Sequence, residues 1–169
     1  MPRRLLRDGS IVDDDWCYLA EGEDNRAASL ILTLAQWQTQ RDHWIARGGR
    51  LGVVLSPAHR VETLSADLSR LSLIAAEFSG PSEGRGYSQA RMLREQWKFG
   101  GELRASGYLR RDQLFFLARC GFNSFELPDS DIDNAYQALS TFSRAYQPSN
   151  DAGLPLKLPR RSTDTPAIV

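Results

Sequence analysis

From residue 51 onward, short apolar runs alternate with stretches whose apolar residues recur at helical spacing. Leu51-Gly-Val-Val-Leu55, Leu73-Ile-Ala-Ala-Glu-Phe78, Glu102-Leu-Arg-Ala-Ser106 and Ser124-Phe-Glu-Leu127 have the length and composition of strands. Between and after them, Val61, Leu64, Leu68 and Leu71 form one helical stripe, and Ala90, Leu93 and Trp97 form a second over 87–98. Leu114, Leu117 and Ala118 form a third, closed by Gly121. Ile132, Ala135, Tyr136, Leu139 and Phe142 share the face of a fourth, which opens on the capping-box spacing Ser130-x-x-Asp133. Strand starts lie 22, 29 and 22 residues apart. The pattern predicts four consecutive βα units over 51–146, an α/β fold with a parallel sheet.

Upstream, Asp8-Gly9 between Leu5-Leu6 and Ile11-Val12 predicts a hairpin within 3–20, followed by Trp16-Cys-Tyr-Leu19. A helix is expected from Thr33, where Gln36 completes a capping box and Leu32 and Trp37 form a hydrophobic staple, to Gly48-Gly49. Residues 1–147 therefore read as one α/β domain. Residues 148–169, with Pro155, Pro159 and Pro166 and no periodicity, read as a mobile, disordered tail.

Composition narrows the function classes. The 169 residues balance 21 basic against 21 acidic side chains, so no global charge argues for nucleic acid or an anionic membrane. Cys17 and Cys120 are the two cysteines, without a CxxC or a His/Cys cluster, so neither a structural zinc nor an iron–sulfur cluster held by this chain is expected. No apolar run approaches 18 residues and no apolar leader follows Met1-Pro-Arg-Arg4, so a cytoplasmic protein with free thiols is expected.

The candidate chemistry gathers at one loop and one sheet face. Gly84-Arg-Gly-Tyr-Ser-Gln-Ala-Arg91 lies between a strand and a helix, where unpaired amides and the helix dipole favour an anion. Arg85, Gly86, Tyr87, Ser88 and Arg91 are its candidate anion-binding residues, although the spacing is neither a Walker loop nor a dinucleotide fingerprint. The alternative is that Gly86 ends a turn, Ser88 caps the helix and the arginines are solvated. Because side chains alternate along a strand, Glu77, Arg104 and Glu126 fall on the face opposite Ile74, Leu103 and Phe125. They are expected to bind a ligand, with Arg104 on an anion and Glu77 or Glu126 as base, or else to form a structural ion pair centred on Arg104. A polar inner face suits half of a (βα)8 barrel, or an open sheet whose second face meets a partner or a second copy. His59, after the first strand of the series, is a third catalytic candidate. Arg111, Asp112 and Gln113 would support the loop from the next connection. The run Asp13-Asp-Asp15 reads as a solvated turn rather than a metal site.

Gly84-Arg-Gly-Tyr-Ser-Gln-Ala-Arg91, Gly101-Glu-Leu-Arg-Ala105, Arg111-Asp-Gln113 and Arg119-Cys-Gly-Phe122 with Phe125-Glu-Leu127 together resemble an uncharacterised bacterial domain family. Its members are described as probable oxidoreductases involved in sulfite reduction and are usually encoded beside sirohaem sulfite reductase. The resemblance runs over roughly 3–146 and is densest over 73–127; it departs after Gly107, where Tyr108 stands in place of an acid. It implies a role in sulfur assimilation with sulfite reductase or its electron donor as partner. Sirohaem and the iron–sulfur cluster would then belong to that partner, and this chain would hold no cofactor.

Overall fold

The computed structural model describes residues 3–20 and 26–140, with side chains described as far as residue 135. The fold is mixed α/β. Its strands are β1 (Arg4–Arg7), β2 (Ser10–Asp13), β3 (Cys17–Tyr18), β4 (Ser29–Thr33), β5 (Arg50–Leu55), β6 (Leu73–Phe78), β7 (Glu102–Gly107) and β8 (Ser124–Phe125). They form a single sheet in the order β2-β1-β8-β7-β6-β5-β4-β3. All neighbours from β3 to β8 pair in parallel, and β1 joins β8 antiparallel before turning into β2.

That order forces the sheet to curl. β2 and β3 lie at its two ends, yet only Asp14, Asp15 and Trp16 separate them in the chain. Eight strands laid flat would put the outer pair roughly 34 Å apart. Four Cα steps span at most roughly 14 Å. The ends must therefore approach each other, and the result is a half-barrel with residues 14–16 crossing its mouth.

Among the described residues five helices cover the outer face: α1 (Leu34–Thr39), α2 (Arg41–Arg47), α3 (Arg85–Glu95), α4 (Leu114–Cys120) and α5 (Asp129–Ser140). The main core lies beneath them, where Ile74, Ala76, Phe78, Leu103, Ala105 and Phe125 meet Trp37, Leu93, Leu114, Leu117 and Ile132. Each fully buried aliphatic side chain there contributes about 1.5–3 kcal/mol. A smaller inner cluster of Trp16, Ile31, Leu73 and Ala75 lies on the opposite face.

Several expectations need correction. The hairpin is β1–β2 alone, and Cys17-Tyr18 pairs with β4 at the far end of the sheet. Leu30-Ile-Leu32, of which only Leu32 is assigned above, as a staple residue, is the buried centre of β4. The Thr33 capping box is present, but the expected single helix breaks at Gln40, whose backbone at φ −128° leaves the helical region. Asp67 anchors that break: its carboxylate accepts from Trp37 Nε1 at 3.0 Å and from Arg41 Nε at 2.8 Å. The stripe over 61–71 is not an α-helix but two 3₁₀ turns, Val61–Leu64 and Leu68–Arg70. The spacings Val61/Leu64 and Leu68/Leu71 satisfy a three-residue period as well as a 3.6-residue one. Four βα units are thus too regular a description, since the link from β5 to β6 carries no α-helix. The expected core positions Tyr136, Leu139 and Phe142 and the tail from 148 lie outside the described side chains.

Candidate functional site

Two polar assemblies contain the residues singled out in the sequence. The first fills the inner face. Arg104, at the middle of β7, has no solvent exposure, and three carboxylates surround it. Its Nε donates to Glu102 at 3.1 Å, Nη1 to Asp14 and Glu126 at 3.0 Å each, and Nη2 to Asp14 at 3.0 Å and Glu102 at 2.8 Å. A guanidinium has five N–H groups, and all five are taken. Burial disfavours the charge, but the hydrogen bonds donated to Asp14 and the fields of Glu102 and Asp14 outweigh it and raise the Arg104 pKa. The shell continues outward. Tyr18 donates to Glu126 at 2.6 Å and Arg3 reaches the other Glu126 oxygen at 3.1 Å. Arg7 and Arg50 bind Asp15 at 2.9 and 2.8 Å, and Arg50 lies 4.5 Å over the Trp16 ring. Burial, then the charge and hydrogen bond of Glu126, push the Tyr18 hydroxyl pKa up.

Arg104 and Glu126 therefore do meet, as an ion pair, while Glu77 stays apart. Glu77 lies opposite Ser106, is exposed and has no ion pair among the described residues. The acidic run is not merely solvated: the Asp14 side chain is 2% exposed and inserted into the network, although Asp13 does remain exposed. Asp14, Glu102, Tyr18, Arg3 and Arg7 were not anticipated as members. The available signal was a lone arginine in a strand pattern, which demands counter-charges without saying from where they come.

The second assembly is the rim at the carboxyl ends of β5, β6 and β7. Arg85 opens α3, and its Nη1 reaches the Pro57 carbonyl at 3.4 Å on the neighbouring connection. His59 Nδ1 accepts from the Ser56 amide at 3.0 Å, so the neutral ring carries its proton on Nε2. Gln89, buried in α3, donates to the Ser56 and His59 carbonyls at 3.0 and 2.9 Å and so ties this loop to the helix. His59 and Arg85 consequently share one edge, distant from the Arg104 cluster.

The loop itself differs from a phosphate cradle in two respects. Neither Gly84 nor Gly86 has a positive φ, and the first free amide, that of Arg85, is bound by the Glu83 carboxylate at 2.8 Å. Gly86 is glycine for a packing reason, because a Cβ there would lie 2.4 Å from the Phe78 ring. Tyr87 packs edge-on against that ring at 5.5 Å, and burial raises its hydroxyl pKa. Ser88 is exposed in the helix rather than at its cap. Arg91 is exposed, and the neighbouring Cys120 sulfur raises its pKa. In the next connection Arg111 and Asp112 are exposed, Asp112 lies 3.5 Å from Arg110, and Gln113 accepts from the Arg110 amide at 3.0 Å.

A family model described as "Bacterial protein of unknown function (DUF934)" matches residues 52–157. The chain belongs to this family. The DUF934 match takes in β6, β7, β8 and every rim residue above. It leaves out the hairpin and the 14–18 crossing, so Arg104, Glu102 and Glu126 lie inside it and Asp14, Arg3 and Arg7 outside. No curated protein matches the chain. No helix among the described residues is long and apolar enough to cross a membrane.

Proposed function

We propose that this protein is an accessory factor of assimilatory sulfite reduction, a docking or electron-delivery partner of sirohaem sulfite reductase or of its electron donor. The resemblance carried by Gly84–Arg91, Gly101–Ala105 and Arg111–Gln113 supplies the pathway. The observation that favours docking is the arginine rim: Arg60, Arg85, Arg91, Arg110 and Arg111 are all exposed on connections after successive strands. Glu62 and Asp112 approach Arg60 and Arg110 only at 3.6 and 3.5 Å. Exposed charge of one sign steers a partner of the opposite sign, in a salt-dependent way. Glu62, Glu77 and Asp112 are exposed among these arginines, so the rim is arginine-rich rather than purely positive and suits a protein surface that offers carboxylates to the arginines, with the redox groups held on the partner.

The test is a clean deletion together with affinity capture from cells grown on sulfate. Deletion is expected to slow growth on sulfate or sulfite but not on cysteine, and the tagged protein to retain sulfite reductase or its donor until salt is raised. The double variant Arg85→Glu, Arg111→Glu should lose that capture. Normal growth of the deletion strain on sulfate would end this reading.

A second reading rests on His59. With Nδ1 fixed by the Ser56 amide, Nε2 is left as a donor on the same loop whose Pro57 carbonyl Arg85 reaches. That pair suits a small α/β enzyme acting on an anionic or phosphorylated metabolite at the same rim. Thermal stabilisation by phosphate esters that disappears in Arg85→Ala, with partner capture absent, would favour it.

A further inference from the structure

At the opposite edge of the sheet, before β6 and β7, the chain forms a cavity of about 470 Å³ that the rim chemistry does not use. Ser65 and Ser69 line one side; Trp97, Lys98 and Gly101 line the other. The volume falls within the range of small-molecule sites. We propose that it binds a flat aromatic ring carrying an anionic group, the chemistry of a nucleoside monophosphate.

Three observations carry this. Of the four tryptophans, Trp16, Trp37 and Trp44 are at most 6% exposed, whereas Trp97 is 37% exposed and borders the cavity. An indole face open to a cleft is a stacking platform for a base or similar ring.

The charge has one sign. No acid lines the cavity, and Lys98 has no ion pair among the described residues. Behind the wall lies Arg94, whose hydrogen bonds go to the carbonyls of Phe99, Gly101 and Gly121 at 2.5, 2.9 and 3.0 Å and to the Asn123 amide oxygen at 3.3 Å. None of these oxygens belongs to a carboxylate, and the one acid that acts on Arg94, Asp8, reaches it only through Asn123, so part of its positive charge remains and adds to that of Lys98.

The wall is held in an uncommon shape. Lys98 sits at φ +52°, the left-handed region that favours glycine. Gly101 could not carry a Cβ, which would lie 2.5 Å from the Phe99 ring and 2.7 Å from the Ser72 carbonyl. Arg94 pins the turn on either side of these contacts, so the cavity is preformed, which lowers the cost of ordering it around a ligand.

The full chain would be titrated calorimetrically with AMP and with FMN, following tryptophan fluorescence in parallel. Saturable binding with quenching is expected for at least one probe. Trp97→Ala should weaken it by about ten-fold or more, as expected for loss of one stacked ring. Trp97→Phe should keep most of the affinity. Lys98→Gly removes the cation while relieving the left-handed backbone, so this variant should fold at least as stably and still bind several-fold more weakly. No binding of either probe at millimolar concentration, or binding that Trp97→Ala or Lys98→Gly leaves unchanged, would overturn the proposal.

Discussion

On the outer face of the sheet, Ile74, Ala76, Leu103 and Ala105 meet the helices through apolar contact. One residue along β7, on the inner face, Arg104 is equally buried but is held by Asp14, Glu102 and Glu126. Apolar burial is non-directional, so many neighbours of suitable volume serve. A buried guanidinium is selective, because each N–H must find an acceptor and each counter-charge must reach it with good geometry. The outer face could therefore form from local βα packing. The inner face is complete only when Asp14, from a segment crossing the mouth of the half-barrel, meets strands some ninety residues later.

The largest test of that contrast is Arg104→Met. It leaves three carboxylates without their shared cation and should lower stability by about 3–5 kcal/mol, read from urea denaturation. A loss under about 1 kcal/mol would mean that water screens the network and that the inner face is not selective.

Next is the outer face, at Gly86. Gly86→Ala drives a methyl into the buried Phe78 ring, which Tyr87 and Phe122 hold in place. Overpacking of about 1–3 kcal/mol should exceed the roughly 1 kcal/mol gained in helix propensity, lowering the melting temperature. In a Phe78→Ala background the same change should become neutral or stabilising, and a double-mutant cycle measures that reversal. Persistent destabilisation there would place the strain somewhere other than the ring.

The smallest effect is on pH. Partial burial opposes ionisation of Asp15, but hydrogen bonds from Arg7 and Arg50 prevail and lower its pKa from 3.8 to about 2. The folded state binds fewer protons than the unfolded one in that interval. Its contribution is therefore full above about pH 4 and is lost as pH falls toward 2. Because Asp15 is 44% exposed, screening keeps the effect below about 1 kcal/mol. Asp15→Asn should shrink the drop in urea midpoint between pH 5 and pH 2.5. Asp67, lowered mainly by its hydrogen bond from Arg41, preserves part of the drop in that variant.

Legibility of the sequence followed the range of the forces involved. The strands expected at 51–55, 73–78 and 102–106, and helices around 90, 117 and 132, were readable because periodicity records which side faces apolar neighbours. The Thr33 capping box and the Gly121 stop were readable because capping is settled within four residues. β4 was missed because Leu30-Ile-Leu32 runs straight into a capping signal, which drew Leu32 into the start of the helix as a staple residue. The 61–71 stripe was misread because two periods fit it equally.

The sequence alone determined an α/β chain with a parallel run of strands and a charged inner face, since alternation along a strand assigns each side chain to a face whatever the rest of the fold does. Tertiary structure alone decided which charges meet. Arg104 found Asp14 and Glu102 rather than Glu77, and Arg85 found Pro57 rather than the acids, because curling the sheet brings residues 14–16 across its mouth. Ion pairs depend on distances of a few ångströms between residues far apart in the chain, and no local pattern encodes them.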